Sequence, residues 1–124
     1  MKQVRFLSTL SVEEVTDQTW RLTAPFLVSI DNVFYKVPIG FISDFASVPR
    51  IPIAYLMFGD TAHRPACLHD WLYSGAAGVS RQFADETLMA AMKADGESWF
   101  RRQAMYRAVR LFGAKFYKGS DPAI

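Results

Sequence analysis

Two short stretches of this chain combine side chains that can do chemistry. The first is Ser43-Asp44-Phe45-Ala46-Ser47-Val48-Pro49-Arg50, and the second is His69-Asp70-Trp71-Leu72-Tyr73. His63 precedes the second stretch and Asp85 follows it. Two imidazoles with one or two carboxylates suit a divalent transition metal such as zinc or manganese, so His63, His69, Asp70 and Asp85 form a candidate ligand set. A metal held there would activate water for hydrolysis, with Asp44, Ser47, His69 and Asp70 as candidate catalytic residues. The spacing matches no tight metal motif. Adjacent helical residues point about 100° apart, so His69 and Asp70 converge only on something bound at the helix edge.

A purely architectural use of the same residues competes with this. Asp44 can cap the turn that follows it, and Ser47 can bond nearby backbone. Arg50 or Arg81 can pair with Asp70 or Asp85, and Arg81 and Asp85 have the spacing of a helical ion pair. Cys67 stands two residues from His69, which on a helix points it away from that ring, so it reads as a small core residue rather than a nucleophile. Ser47 with His69 as its base lacks the glycine pattern of a nucleophile elbow.

The elements that must position these residues fall into two halves. Val4 and Phe6 alternate with polar neighbours, as do Trp20 and Leu22, which is the period of a half-buried strand. The apolar runs Phe26 to Ile30 and Val33 to Val37 flank Asp31-Asn32, a pair that tolerates positive φ, and this predicts a β-hairpin. Pro25 and Pro38 lack an amide hydrogen and belong at strand ends. Gly40, just before the first motif, suggests a bulge or a close backbone approach. Pro49, Pro52 and Gly59 break any long element between 45 and 62, and the apolar residues of 51–58 make that loop either packed or a contact surface.

Beyond it the pattern turns helical. Pro65 suits the first turn of a helix ending near Tyr73, and Ser80 caps a second from Arg81 to about Ala94, stopped by Asp95-Gly96. A third helix is expected from about Ser98 to Tyr117, with Met105, Val109, Phe112 and Phe116 on its buried stripe and Gly119 as its stop. The tail from Ser120 should fray. Strands followed by helices predict an α+β fold in one domain, 1–124: a small antiparallel sheet in the N-terminal third packed by about three C-terminal helices.

Composition narrows the class. The chain has 124 residues, 51% hydrophobic and 15% aromatic with ten Phe, enough for a core without staples. Its one cysteine forbids an internal disulfide, and its net charge of +2 is too small to argue for nucleic acid. No signal peptide and no spanning apolar run stand out, so a soluble chain is expected. The last helix is locally basic: Arg101, Arg102, Arg107, Arg110, Lys115 and Lys118 face only Glu97 and Asp121 between 97 and 124. That excess suits an acidic partner or a polyanion.

Read in order, the residues Val37-Pro38-x-Gly40-Phe41-x-x-Asp44-Phe45-Ala46-Ser47-Val48-Pro49-Arg50, His69-Asp70-Trp71-Leu72-Tyr73, Ser80-Arg81, Ala84-Asp85 and Met105-Tyr106-x-Ala108-Val109-Arg110-Leu111-Phe112-Gly113 resemble a family of small phage and prophage proteins catalogued as a domain of unknown function. The resemblance runs from about residue 20 to 113. It implies a phage or prophage origin, and so a place in the host cytoplasm or the virion, but supplies no activity. His69-Asp70 is also faintly similar to the dyad of HD-type phosphohydrolases, which are all-helical where this chain opens with strands.

Two functions follow as expectations. One is a phage-encoded accessory protein with an Asp/His polar site, acting as a metal-dependent hydrolase. The alternative is a non-enzymatic tail or neck assembly protein, or a binder of a host factor, meeting phage structural or host proteins through the 51–58 loop or the basic last helix.

Overall fold

The structure is a computed structural model that describes residues 2–16, 19–43 and 63–119. These form six strands and three α-helices: β1 (Val4–Phe6), β2 (Val12–Thr16), β3 (Thr19–Leu22), β4 (Phe26–Ile30), β5 (Val33–Val37), β6 (Ile42–Ser43), α1 (His63–Tyr73), α2 (Arg81–Ala94) and α3 (Trp99–Phe112). A 3-10 turn, Ala114–Phe116, follows α3. The fold is α+β, as the order of strand and helix signals predicted. Residues 44–62, which carry Asp44, Ser47 and the apolar loop, lie outside the described residues, as does the tail from Ser120.

The strands divide into two antiparallel three-stranded sheets rather than one: β1-β4-β5 and β2-β3-β6. The first is built on the expected hairpin. Asp31 and Asn32 both take positive φ, 51° and 67°, the twist that lets two residues reverse β4 into β5 without splaying the strands. Phe26, Val28 and Ile30 point inward from β4, with Val37 beside Phe26 and Val4 beside Ile30, and all five are buried. Pro25 and Pro38 stand just outside the strands, where no ladder bond is lost.

The second sheet contains a strand the sequence does not announce. Residues 12–16 read Val-Glu-Glu-Val-Thr and show no clean alternation, because β2 is an edge strand with a register shift between Glu14 and Thr16 and little burial. Its Glu13 accepts a hydrogen bond from Arg21 across the ladder at 2.9 Å, a charged edge of the kind that discourages further pairing. β6 pairs with β3 through Trp20–Ser43 and Arg21–Ile42, which brings the first motif's Ser43 onto this sheet. Gly40 is a bulge and not a close approach: its amide donates to Leu22 O at 2.9 Å while the Leu22 amide donates to Phe41 O at 2.9 Å, so two residues oppose one, and a Cβ there would meet nothing within 4 Å. Its φ of +88° is the reason for glycine, in a turn closed by the Phe41 amide donating to Pro38 O at 3.2 Å.

α1 is buried on nearly every side, from Pro65 to His69 and Trp71 to Tyr73, the mark of a central helix. Its side chains join the inward faces of the strands and Ala84 and Ala91 of α2 in one core. α2 runs antiparallel to it: Arg64 near the start of α1 pairs with Asp95, the C-cap of α2. α3 lies one layer further out, packing Met105, Ala108 and Val109 on Leu88 and Met92.

The helix ends largely follow local chemistry. Ser80 Oγ accepts the Phe83 amide hydrogen at 3.0 Å, and Ser98 Oγ accepts that of Arg101 at 3.2 Å. The C-terminus of α3 departs from expectation. The helix stops at Gly113, not near Tyr117, and Phe112 is 54% exposed rather than part of the buried stripe. A Cβ at residue 113 would lie 2.7 Å from Tyr73 Oη and 2.5 Å from Val109 O, so the chain turns there against α1. It then returns to the end of α1, where the Lys118 amide donates to Tyr73 O at 2.8 Å and Tyr117 Oη to Val79 O at 2.6 Å.

Candidate functional site

The sequence candidates that the structure describes separate into two neighbouring arrangements, because His69 and Asp70 leave α1 in different directions. Asp70, half-buried, accepts a hydrogen bond from Ser43 Oγ at 2.6 Å, tying α1 to β6. His69 faces α2 instead.

Asp85 is the centre of the second arrangement. It is 0% exposed, and His69 is 2% exposed. Asp85 Oδ1 accepts from His69 Nε2 at 2.8 Å and from Tyr73 Oη at 2.5 Å. Its Oδ2 accepts from Arg110 Nη1 at 2.8 Å, with Arg81 Nε 3.9 Å away. Helical spacing places His69 and Tyr73 one turn apart on the face of α1 that meets α2, and Arg81 and Asp85 one turn apart on α2. Arg110 reaches across from the last turn of α3.

Arg81 is itself fixed. Its Nη2 donates to the carbonyls of Val109 and Arg110 at 2.9 and 2.6 Å, oxygens from the last turn of α3. A cation at this end of α3 also meets the negative pole of that helix. The arginine therefore compensates the terminus of α3 and the carboxylate of α2 together.

Burial alone would push the Asp85 carboxyl up. The hydrogen bonds from His69 and Tyr73, the charge of His69 and the bond from Arg110 outweigh it and hold the group below the ordinary carboxylate value. Tyr73 moves up, from burial first and then from donating to Asp85, so its hydroxyl stays protonated. Burial works against the charge of Arg110, yet its bond to Asp85 raises its pKa. An ionised Asp85 can only accept, so in the neutral imidazole Nε2 of His69 carries the hydrogen and Nδ1 the lone pair. Nδ1 is buried with no hydrogen-bond partner among the described residues.

The four candidate metal ligands do not share one focus. His69 and Asp85 bond each other, Asp70 turns to Ser43, and His63 stands exposed at the first residue of α1. Among the described residues no three His, Cys, Asp or Glu side chains form a group suited to a metal ion. Cys67 is fully buried, and burial, with the Asp70 charge behind it, pushes its thiol up, away from nucleophilic chemistry.

Sequence reasoning anticipated the Arg81–Asp85 pair but missed Ser43, Tyr73 and Arg110 as partners. Ser43 opens the first motif and Tyr73 closes the second, so their place in the motifs was the available signal. Arg110 looked like one cation among six. In the folded chain, Arg101 pairs with Glu97 and Arg102 donates to Glu97 O, so the basic helix is partly spent on its own contacts.

Fold and site define an α+β protein with a buried carboxylate held by an imidazole, a phenol and two guanidinium groups. The chain belongs to the family described as a protein of unknown function, DUF1353, whose profile matches residues 20–109. That match begins in β3 and ends in α3, and so takes in Ser43, His69, Asp70, Tyr73, Arg81 and Asp85. Comparisons with curated proteins and with solved structures returned no match. No helix among the described residues is long and apolar enough to cross a membrane.

Proposed function

We propose that this protein is a phage-derived accessory protein that acts by binding a phage structural or host protein, and that the Asp85 network is architectural. The observation that carries this is the closure of Asp85: a fully buried carboxylate whose two oxygens are occupied by His69, Tyr73 and Arg110. A carboxylate so engaged has little capacity left for a metal or a substrate proton. The surface supports the same reading. Phe100 and Leu111 are exposed on one stripe of α3 with Arg107 between them, and Phe34 on β5 is 78% exposed. Phage origin enters through the motif resemblance.

A second reading, a metal-dependent hydrolase using Asp44, Ser47, His69 and Asp70, draws on one observation. His69 Nδ1 is a buried ring nitrogen without a partner among the described residues, while its other nitrogen is fixed by a carboxylate. That carboxylate–imidazole arrangement also orients histidines that ligate metals.

One experiment separates them. The protein is purified without chelator, assayed for bound metal, and melted with and without zinc or manganese. Binding alone predicts no stoichiometric metal and an unchanged Tm. It also predicts that Phe100→Asp with Leu111→Asp leaves Tm intact but removes the protein from purified particles or from a defined host complex. Stoichiometric zinc or manganese that disappears in His69→Gln would overturn the binding reading in favour of the hydrolase.

A further inference from the structure

A groove of about 620 Å³ opens between α2 and α3. One wall is Trp99, Arg102 and Tyr106 of α3, spaced i, i+3 and i+7 so that they share a face. The other is Met89, Ala90 and Lys93 of α2. The volume falls in the range of small-molecule sites.

The α3 wall is unusual in what it leaves unused. Trp99 is 62% exposed, although an indole is costly to leave in water. Neither its ring nitrogen nor Tyr106 Oη has a hydrogen-bond partner among the described residues. Arg102 is held in place by donating from Nη1 to Glu97 O at 3.0 Å, which leaves its other N–H donors available. Of the two carboxylates on the rim, Asp31 is balanced by Lys2 at 3.9 Å and Glu86 accepts from Gln82 at 3.0 Å. The groove therefore offers a flat aromatic face, an anchored guanidinium beside it, a phenol one turn further on, and a thioether and methyl floor opposite.

We propose that this groove binds a nucleoside monophosphate, with the base stacked on Trp99 and the phosphate on Arg102. Every base has a π-face that an indole accepts, and a guanidinium fork matches phosphate oxygens. The inference is independent of the proposed function, since none of its residues belongs to the Asp85 network.

Calorimetric titration of the full chain with AMP, adenosine and inorganic phosphate tests it, with the Trp99 indole N–H signal followed by NMR. Saturable AMP binding that shifts the Trp99 signal is expected, with adenosine and phosphate each at least about tenfold weaker, a loss of roughly 1.4 kcal/mol. Trp99→Ala and Arg102→Gln should each lose about tenfold or more without change in Tm, and Arg102→Lys should recover part of the loss. No saturable heat at millimolar AMP would overturn the proposal. So would phosphate binding as tightly as AMP, or AMP binding that both variants leave intact.

Discussion

Arg110 Nη1 lies 2.8 Å from Asp85 Oδ2, so the last turn of α3 is bonded to the first half of α2 through a carboxylate that water does not reach. Removing one partner of such a pair leaves the other buried and uncompensated, which is costlier than never having built the pair. Asp85→Ala should lower stability by about 3–5 kcal/mol. Arg110→Ala should cost less, because Arg81, His69 and Tyr73 remain around the carboxylate. A double-mutant cycle by urea denaturation checks this: clear coupling is expected, and simple additivity would mean the two side chains act separately.

Asp85 also sets an acid limit. Its folded pKa is depressed, so its contribution is fully present above the unfolded carboxylate pKa of about 4 and fades as pH falls through the lower folded value. The wild-type Tm should therefore fall more steeply below about pH 4 than that of Asp85→Asn, which is less stable at neutral pH but lacks this titration. Parallel Tm profiles for the two proteins would remove Asp85 as the cause.

Gly113 is a packing requirement. A methyl there would meet Tyr73 Oη at 2.7 Å and Val109 O at 2.5 Å, and Tyr73 is itself fixed by Asp85. Gly113→Ala should cost about 1–3 kcal/mol, as overpacking does. In the Tyr73→Phe background, which lacks the clashing hydroxyl, the same substitution should cost measurably less. Equal penalties in both backgrounds would place the strain at the Val109 carbonyl alone.

The β4–β5 turn gives a prediction on the backbone. Asn32 sits at φ 67°, where an ordinary L-residue pays about 1–2 kcal/mol. Asn32→Ala should destabilise by about 1 kcal/mol and Asn32→Gly should not, read from denaturation midpoints with unchanged m.

How much was legible in the sequence tracks how local the cause was. The Asp31-Asn32 turn, the Ser80 cap and the stop at Asp95 each depend on a few neighbouring residues, and each was readable. So was the Arg81–Asp85 pair, one helical turn apart. The early end of α3 was not, because the residues beyond Gly113 bond to Tyr73 O and Val79 O, which come from far upstream in the chain. Nor was the edge strand β2, whose exposed Glu13 and Glu14 erase the alternation that marks a strand. The candidate site shows the same division. His69 and Asp70 were recognisable as polar side chains in an apolar helix, but Ser43 and Arg110, the partners that give Asp70 and Asp85 their surroundings, arrive from distant segments. Asp44 and Ser47 lie outside the described residues, so their part in the site remains a proposal.

The bond between Asp85 and Arg110 spans 25 residues, and this bears on the order in which the chain assembles. During synthesis the carboxylate leaves the ribosome well before its guanidinium partner. An early pairing of α1 with α2 would enclose a carboxylate that has His69, Tyr73 and Arg81 around it but still lacks its closest guanidinium, a less stable intermediate. The last helix thus acts as a keystone for the network: α1 and α2 share their core with the strands without it, but only once it docks are the carboxylate and the end of α3 compensated together. Chains cut before Arg110 should be more open to cellular proteases, because the carboxylate then lacks its closest cation.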